Sequence, residues 1–253
     1  MEKQVFKPIL FSTPMVQAIL EERKTQTRRT LGININHDKF ISAGIWTTRR
    51  IWNSEIEENP NPLRTYASFF DKKEEEMKVY SKYQNGDILW VRENFCTAEN
   101  WDHWNPASLP ETVGINYKAD LNDDYIPKFV HRGRWRPSIH MPKQICRIFL
   151  EVTNVRVERL QDISEVDARA EGIIEYAYGY FKNYTSLFSG GRPKTNIDFK
   201  IPCDSFKTLW ESINGKDSWK ANPWVWVYEF KRVEKPAGFL SNSAAISSLK
   251  SNI

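Results

Sequence analysis

The sequence predicts an α+β fold in which short strands outnumber a few capped helices and one long strand bends as in a barrel wall. Three observations carry this. Apolar, β-favouring runs recur at residues 7–11, 88–93, 144–160 and 224–230. Helix-start signals stand between them, at Thr13-Pro14 and at the box-like Ser164-Glu165-Val166-Asp167. Finally, the longest β run changes parity part-way: Ile148, Leu150 and Val152 alternate, then the apolar row moves to Val155 and Val157. A one-residue slip near Thr153-Asn154 predicts a β-bulge, which bends a strand around a barrel corner.

The elements follow in chain order. Lys7-Pro8-Ile9-Leu10-Phe11 predicts a short strand leading into a helix that Thr13 caps and Pro14 opens. Residues 31–84 are mixed and polar, with Asn59-Pro60-Asn61-Pro62 as a break, and predict an insertion. Within it, the charge run Asp71-Lys72-Lys73-Glu74-Glu75-Glu76 predicts a solvated helix face. Gly86-Asp87 is a turn before a strand in which Leu89, Val91 and Glu93 share one face. A weaker strand is expected around residues 113–118. After the long strand, the capping box opens a helix expected to reach about residue 174, with Ile163, Val166, Ala170 and Ile174 as its stripe. Residues 176–202 predict a second insertion, where Gly190-Gly191-Arg192-Pro193-Lys194-Thr195 is an exposed turn and not a phosphate loop, because Pro193 removes an amide. Asp204 or Ser205 caps a helix over residues 206–212, ending near Asn214-Gly215. The run Trp224-Val225-Trp226-Val227-Tyr228-Glu229-Phe230 predicts a strand buried on both faces. One domain over residues 1–233 is expected, followed by a Ser-rich, flexible tail over 234–253.

Bulk composition narrows the function classes. The chain has 253 residues, of which 40% are hydrophobic and 10 are tryptophan, enough for a sizeable core. No apolar run reaches membrane-spanning length and the N-terminus lacks a signal peptide's apolar stretch, so no membrane partner and a cytoplasmic location are expected. The formal charge of +4 permits a nucleic-acid partner without demanding one. Cys96, Cys146 and Cys203 are isolated, which argues against a disulfide framework. The histidines show no paired metal-ligand spacing, and neither a nucleophile elbow nor a dinucleotide fingerprint is present, so no metal and no cofactor are expected.

The most informative stretch is Glu22-Arg23-Lys24-Thr25-Gln26-Thr27-Arg28-Arg29. Val16 and Leu20 define the buried stripe of the first helix, and helical spacing carries that stripe on to Lys24 and Thr27. An ammonium and a hydroxyl then lie at the end of an apolar face. A lysine there also serves simply to complement a helix's carbonyl end, or to lay its stem on apolar surface. Elsewhere, Arg132, Arg134 and Arg136 interleave with Trp135, a pattern suited to phosphate and base contacts and equally to a solvated loop anchored by one tryptophan.

These pieces together resemble the ASCH family of the PUA-like β-barrel superfamily. The matching motifs are Ile19-Leu20-Glu21-Glu22-Arg23-Lys24-Thr25-Gln26-Thr27-Arg28-Arg29, Gly86-Asp87-Ile88-Leu89-Trp90-Val91, Leu150-Glu151-Val152-Thr153, Ala170-Glu171-Gly172 and Trp226-Val227-Tyr228-Glu229-Phe230. With Trp135-Arg136-Pro137-Ser138-Ile139-His140-Met141-Pro142 and Asn222-Pro223-Trp224-Val225-Trp226-Val227, the chain is similar to extended ASCH proteins carried by phages and prophages. The resemblance covers most of residues 7–233. It implies a PUA-like barrel of about five to six mixed strands flanked by helices and carrying the two insertions.

The resemblance further implies binding of RNA or DNA, or of a free modified nucleoside. Small ASCH proteins include amidohydrolases that deacetylate N4-acetylcytidine, and their working lysine, threonine and glutamate fall on Lys24, Thr27 and Glu171. In that reading Thr27 is the nucleophile, Lys24 the base and Glu171 a proton shuttle or the base's holder. A nearby ionised Glu171 would raise the lysine's pKa while burial and neighbouring arginines would lower it, and the sequence leaves that balance open. Arg28, Arg29, Glu93, Arg134, Trp135, Arg136, His140 and Trp224 complete the expected binding residues. The leading expectation is nucleobase recognition, with a modified base included, through a Lys/Thr/Glu-lined pocket. The alternatives are a metal-independent amidohydrolase, a ribonuclease, and a phage protein whose insertions bind a host protein in the host cytoplasm.

Overall fold

A computed structural model describes residues 5–31, 40–47, 65–71, 76–110, 113–121, 131–184, 188–189, 192–193 and 199–239. The expected break at Asn59-Pro60-Asn61-Pro62 lies outside them. The fold is α+β, with a mixed five-stranded sheet of order β1-β6-β9-β14-β2. The strands in chain order are β1 (Phe6–Leu10), β2 (Gln26–Thr30), β3 (Phe40–Thr47), β4 (Thr65–Asp71), β5 (Glu76–Tyr80), β6 (Ile88–Arg92) and β7 (Phe95–Cys96). They continue as β8 (Asn116–Tyr117), β9 (Phe149–Arg159), β10 (Glu175–Tyr176), β11 (Tyr180–Phe181), β12 (Phe188–Ser189), β13 (Arg192–Pro193) and β14 (Trp224–Val233). The α-helices are α1 (Thr13–Leu20), α2 (Glu165–Ala170) and α3 (Pro202–Asn214). The chain divides into two compact units.

The first unit comprises Met1–Glu21, Gly86–Glu151 and Lys231–Ile253. Here β1 lies parallel to β6 with Phe6 opposite Ile88, and β6 pairs antiparallel with the start of β9, Leu89 opposite Leu150. A parallel pair cannot be joined by a tight turn, so the chain leaves after α1 and returns at Gly86. Helix α1 buries Val16, Ala18 and Ile19. Its N-cap is Ser12, one residue before the expected Thr13, and Pro14 sits in the first turn. The weak strand expected over 113–118 shortens to β8, paired with β7. The expected start of the long strand at residue 144 is displaced: residues Lys143–Ile145 form a single 3-10 turn after Pro142, and β9 begins at Phe149. The expected loose tail is corrected over residues 234–239. Phe239 is 1% exposed and meets Phe6 and Phe149 edge-on at 5.2 and 4.6 Å, an apolar ring drawn into the core from a polar segment.

The second unit comprises Glu22–Asn85 and Val152–Phe230. Strand β2 pairs antiparallel with β14, setting Thr27 opposite Tyr228 and Arg29 opposite Trp226. The first insertion holds a three-stranded antiparallel sheet, β3-β4-β5, in which Asp71 ends β4 and Glu76 begins β5; residues 72–75 of the expected solvated helix face lie outside the described residues. Ala67, Ser68 and Phe69 are fully buried in succession on the central strand β4, an inward run masked by the neighbouring charges. In β9, Val152 and Val155 are buried while Thr153 and Asn154 are exposed, so the inward row shifts at the expected place. Helix α3 starts earlier than expected, capped by Ile201 without a side-chain bond, and closes at Gly215 with φ 95°. It packs Phe206 and Trp210 against Leu160, Val225 and Val227. The second insertion contributes the hairpin β10-β11 and the pair β12-β13, with Arg192-Pro193 of the expected exposed turn lying in β13.

Candidate functional site

Two turns of the chain in the second unit, at Glu22 and Gly172, build the site. Helix α1 stops because Glu22 adopts φ 60°, and the chain then turns into β2. The helical spacing that was expected to carry the buried stripe to Lys24 and Thr27 is therefore corrected: both residues are buried, but through an extended segment. Helix α2 opens on Ser164, whose hydroxyl accepts from the Asp167 amide at 3.1 Å, and it ends at Ala170. It is shorter than expected because Gly172, with φ 85°, turns the chain. The expected stripe is corrected too, since Val166 is 76% exposed, and Glu171 occupies the C-cap position.

The segments at these two turns meet. The Thr25 amide donates to the Ala170 carbonyl at 2.9 Å, and Lys24 and Glu171 form an antiparallel bridge. The Lys24 ammonium donates to Glu171 Oε2 at 2.8 Å and to the Glu171 carbonyl at 2.9 Å. Arg28 donates to the other carboxylate oxygen, Oε1, at 3.1 Å. Both oxygens of Glu171 are thus held by cations. Lys24 is 2% exposed, Arg28 4% and Glu171 4%.

A layer of charge surrounds this core. Arg28 also pairs with Glu158 and with Asp167, the latter at 3.3 Å, and its guanidinium lies 5.7 Å from the Phe206 ring. Arg156 bridges Glu158 at 3.1 Å and Asp167 at 3.0 Å, contacts Glu229, and reaches the Gln26 side chain at 3.4 Å. Burial opposes the charge on Asp167, but Arg156 and Arg28 outweigh it and hold the carboxyl below its ordinary range.

Burial pushes the Lys24 ammonium below its ordinary pKa; Glu171 pulls it back up, and Arg29 and Arg28 push it further down. Desolvation wins the contest that the sequence left open. Thr27 is 1% exposed, opposite Tyr228. Arg29 is half-buried; burial lowers its pKa while Tyr83, Glu171 and Tyr228 raise it, which places those three groups within its electrostatic reach. The Tyr228 hydroxyl lies 3.1 Å from Ser81 Oγ, which donates to the Tyr83 carbonyl at 2.6 Å. Burial pushes the Tyr228 hydroxyl up to about 12, so it stays protonated near neutrality.

The remaining expected residues fall elsewhere. Trp224 is corrected from a binding residue to core: it packs edge-on to Phe69 at 5.4 Å, with the Arg159 guanidinium 4.5 Å from its ring. In the first unit, Glu93 is 1% exposed and engages Arg147 at 2.8 and 2.9 Å, while Arg147 also clasps Asp120. Arg136 is corrected from a nucleic-acid contact to a loop anchor. It is 6% exposed and donates to the Trp101, Asp102 and Trp104 carbonyls at 2.9, 3.0 and 3.0 Å. His140 is exposed on a 3-10 turn; the buried neighbour is Met141. Arg134 is exposed and Trp135 half-buried.

Sequence reasoning missed Arg156, Glu158, Asp167, Ser81, Tyr83 and Tyr228. Arg156 and Glu158 stand two apart on a strand, hence on one face, which was a readable signal. Among the described residues, no cluster of His, Cys, Asp and Glu is arranged to hold a metal ion, and no helix is long and apolar enough to cross a membrane. Comparison with known proteins finds no matching family model, no matching curated protein and no matching solved structure.

Proposed function

We propose that the chain recognises a nucleobase, modified bases included, through the site built on Lys24, Thr27, Arg29 and Glu171. The observation that carries this reading is the buried Lys24–Glu171–Arg28 cluster, in which an ammonium is kept away from solvent by one carboxylate clamped from both sides. Such an arrangement fixes Lys24 as a donor with a set direction, suited to a base carbonyl. Tyr228 and Arg29 add a protonated hydroxyl and a cation in electrostatic reach of each other. The ASCH resemblance supplies the ligand class, and with it the expectation that the mixed sheet belongs to a PUA-like barrel. RNA or DNA would be the source of the base, and the likeness to phage-borne ASCH proteins suggests action in a host cytoplasm.

A second reading is amide hydrolysis of an acylated cytidine. The observation favouring it is the lowered pKa of Lys24, which is what a lysine acting as a general base needs. Glu171, with each oxygen bound to a cation, then serves as the holder of that base and not as the proton shuttle.

One experiment separates the two. The purified chain and a Lys24→Met variant are titrated calorimetrically with cytidine and N4-acetylcytidine, and the mixtures are followed by chromatography. Recognition predicts saturable binding without turnover, lost in the variant. Hydrolysis predicts release of acetate and cytidine, lost in the variant. A folded chain that neither binds nor turns over these nucleosides overturns both readings for this ligand class.

A further inference from the structure

The first unit carries an aromatic and cationic surface that the Lys24 site does not use. We propose that it binds single-stranded nucleic acid, stacking unpaired bases on Trp104 and setting phosphates against Arg132 and Arg134.

The surface is built from two segments laced together by backbone. Ala98 and Arg132 form an antiparallel bridge, and the Glu99 amide donates to the His131 carbonyl at 3.1 Å. The Gly133 amide donates to the Thr97 carbonyl at 2.9 Å. The bare Gly133 backbone lies against the Asp102 carboxylate, where an added Cβ would stand 2.4 Å from it and force that carboxylate to shift. That carboxylate in turn accepts from the Arg134 amide at 2.9 Å. Arg136 then ties three carbonyls of residues 101–104 from beneath. Six donor–acceptor links over so few residues hold the outer side chains on a pre-organised frame.

The frame presents one large ring and two guanidinium groups at the surface. Trp104 is 43% exposed and stands edge-on against Trp101, with ring centroids 4.9 Å apart and His103 beside it. Arg132 is exposed and its guanidinium lies 5.0 Å from the Trp135 ring. Arg134 and His131 are exposed as well. Among the described residues, the acidic groups nearby are Glu99, which is exposed, and Asp102, whose carboxylate is occupied by the Arg134 amide and lies 3.9 Å from Arg136. Outward, Arg132 and Arg134 stand against Glu99, with Asp102 already engaged, and the balance favours an anion. Alternating cations and exposed rings suit a polyanion whose bases are unstacked, because every base offers a π-face and a duplex hides its own.

The test uses the full chain and labelled single-stranded uridine and thymidine oligomers, read by fluorescence anisotropy at low and high salt, with a duplex of equal length as comparison. Tryptophan quenching reports stacking directly. Trp104→Ala should weaken binding about tenfold and Trp104→Phe should restore most of it. Arg132→Ala should weaken binding and lower the salt slope by about 0.7, whereas Lys207→Ala, which removes an exposed lysine of the other unit, should leave both unchanged. Glu99→Gln should tighten binding. Duplex preference, no binding at low salt, or wild-type affinity in both Trp104→Ala and Arg132→Ala would overturn the proposal. The nucleoside titration involves no polymer, so this surface and the Lys24 site can each fail alone.

Discussion

Removing Glu171 and removing Lys24 should have unequal consequences. Glu171→Gln leaves Lys24 and Arg28 buried without their shared carboxylate, and stripping one member from a buried ion pair costs about 3–5 kcal/mol. Lys24→Met leaves Glu171 still paired with Arg28 and removes a desolvated charge, so its cost should stay within about 1 kcal/mol of zero. Urea unfolding at neutral pH measures both, and equal losses would mean that Arg28 does not hold the carboxylate. The same lysine sets an alkaline signature. Its folded pKa lies below the unfolded value of 10.5, so between the two the unfolded chain binds more protons. The burial cost is fully present below the folded pKa and is relieved as pH rises towards 10.5. Stability of the wild type relative to Lys24→Met should therefore rise across that window, and a flat difference would show that Lys24 is not desolvated.

At the level of elements, the site depends on two chain reversals of opposite quality. Gly172 takes a left-handed turn without strain, whereas Glu22 takes one with a side chain attached. Gly172→Ala should cost about 1–2 kcal/mol and loosen the Glu171 carbonyl that Lys24 uses, whereas Glu22→Gly should stabilise by about 1 kcal/mol or less. Thermal melts of the two variants should move in opposite directions. The pattern of apolar residues revealed β1, β6, β9 and β14, and the capping box at Ser164 revealed α2, because those signals are local. The burial of Lys24 was also legible, but its route was not: helical spacing and an extended turn both bring residue 24 inward, and only the φ of Glu22 decides between them. The partners of Arg28 lie more than a hundred positions away, at Glu158, Asp167 and Glu171, and pairings at that range leave no periodic trace. The β3-β4-β5 sheet was hidden for a different reason, since the charges around Asp71 and Glu76 read as a solvated helix.

For the whole molecule, the discontinuity of both units governs how the chain tolerates change. The first unit gathers residues from the beginning, the middle and the end of the chain, and the second gathers two separate stretches. Strands β9 and β14 each carry residues of both, so a cut at any single position divides a unit instead of releasing one. Phe239 shows what this implies for the C-terminal segment. It is 1% exposed, packs against Phe6 from the opposite end of the sequence and Phe149 from the middle, and has the Lys143 ammonium 4.3 Å from its ring. Deleting such a ring loses its transfer energy and leaves a cavity, so Phe239→Ala should cost about 3–5 kcal/mol in urea unfolding. Phe239→Leu, which keeps most of the volume, should recover at least half of that loss. If Phe239→Ala unfolds like the wild type, the last described residues add nothing to the first unit's core, and the closure of that unit by its C-terminal segment is wrong.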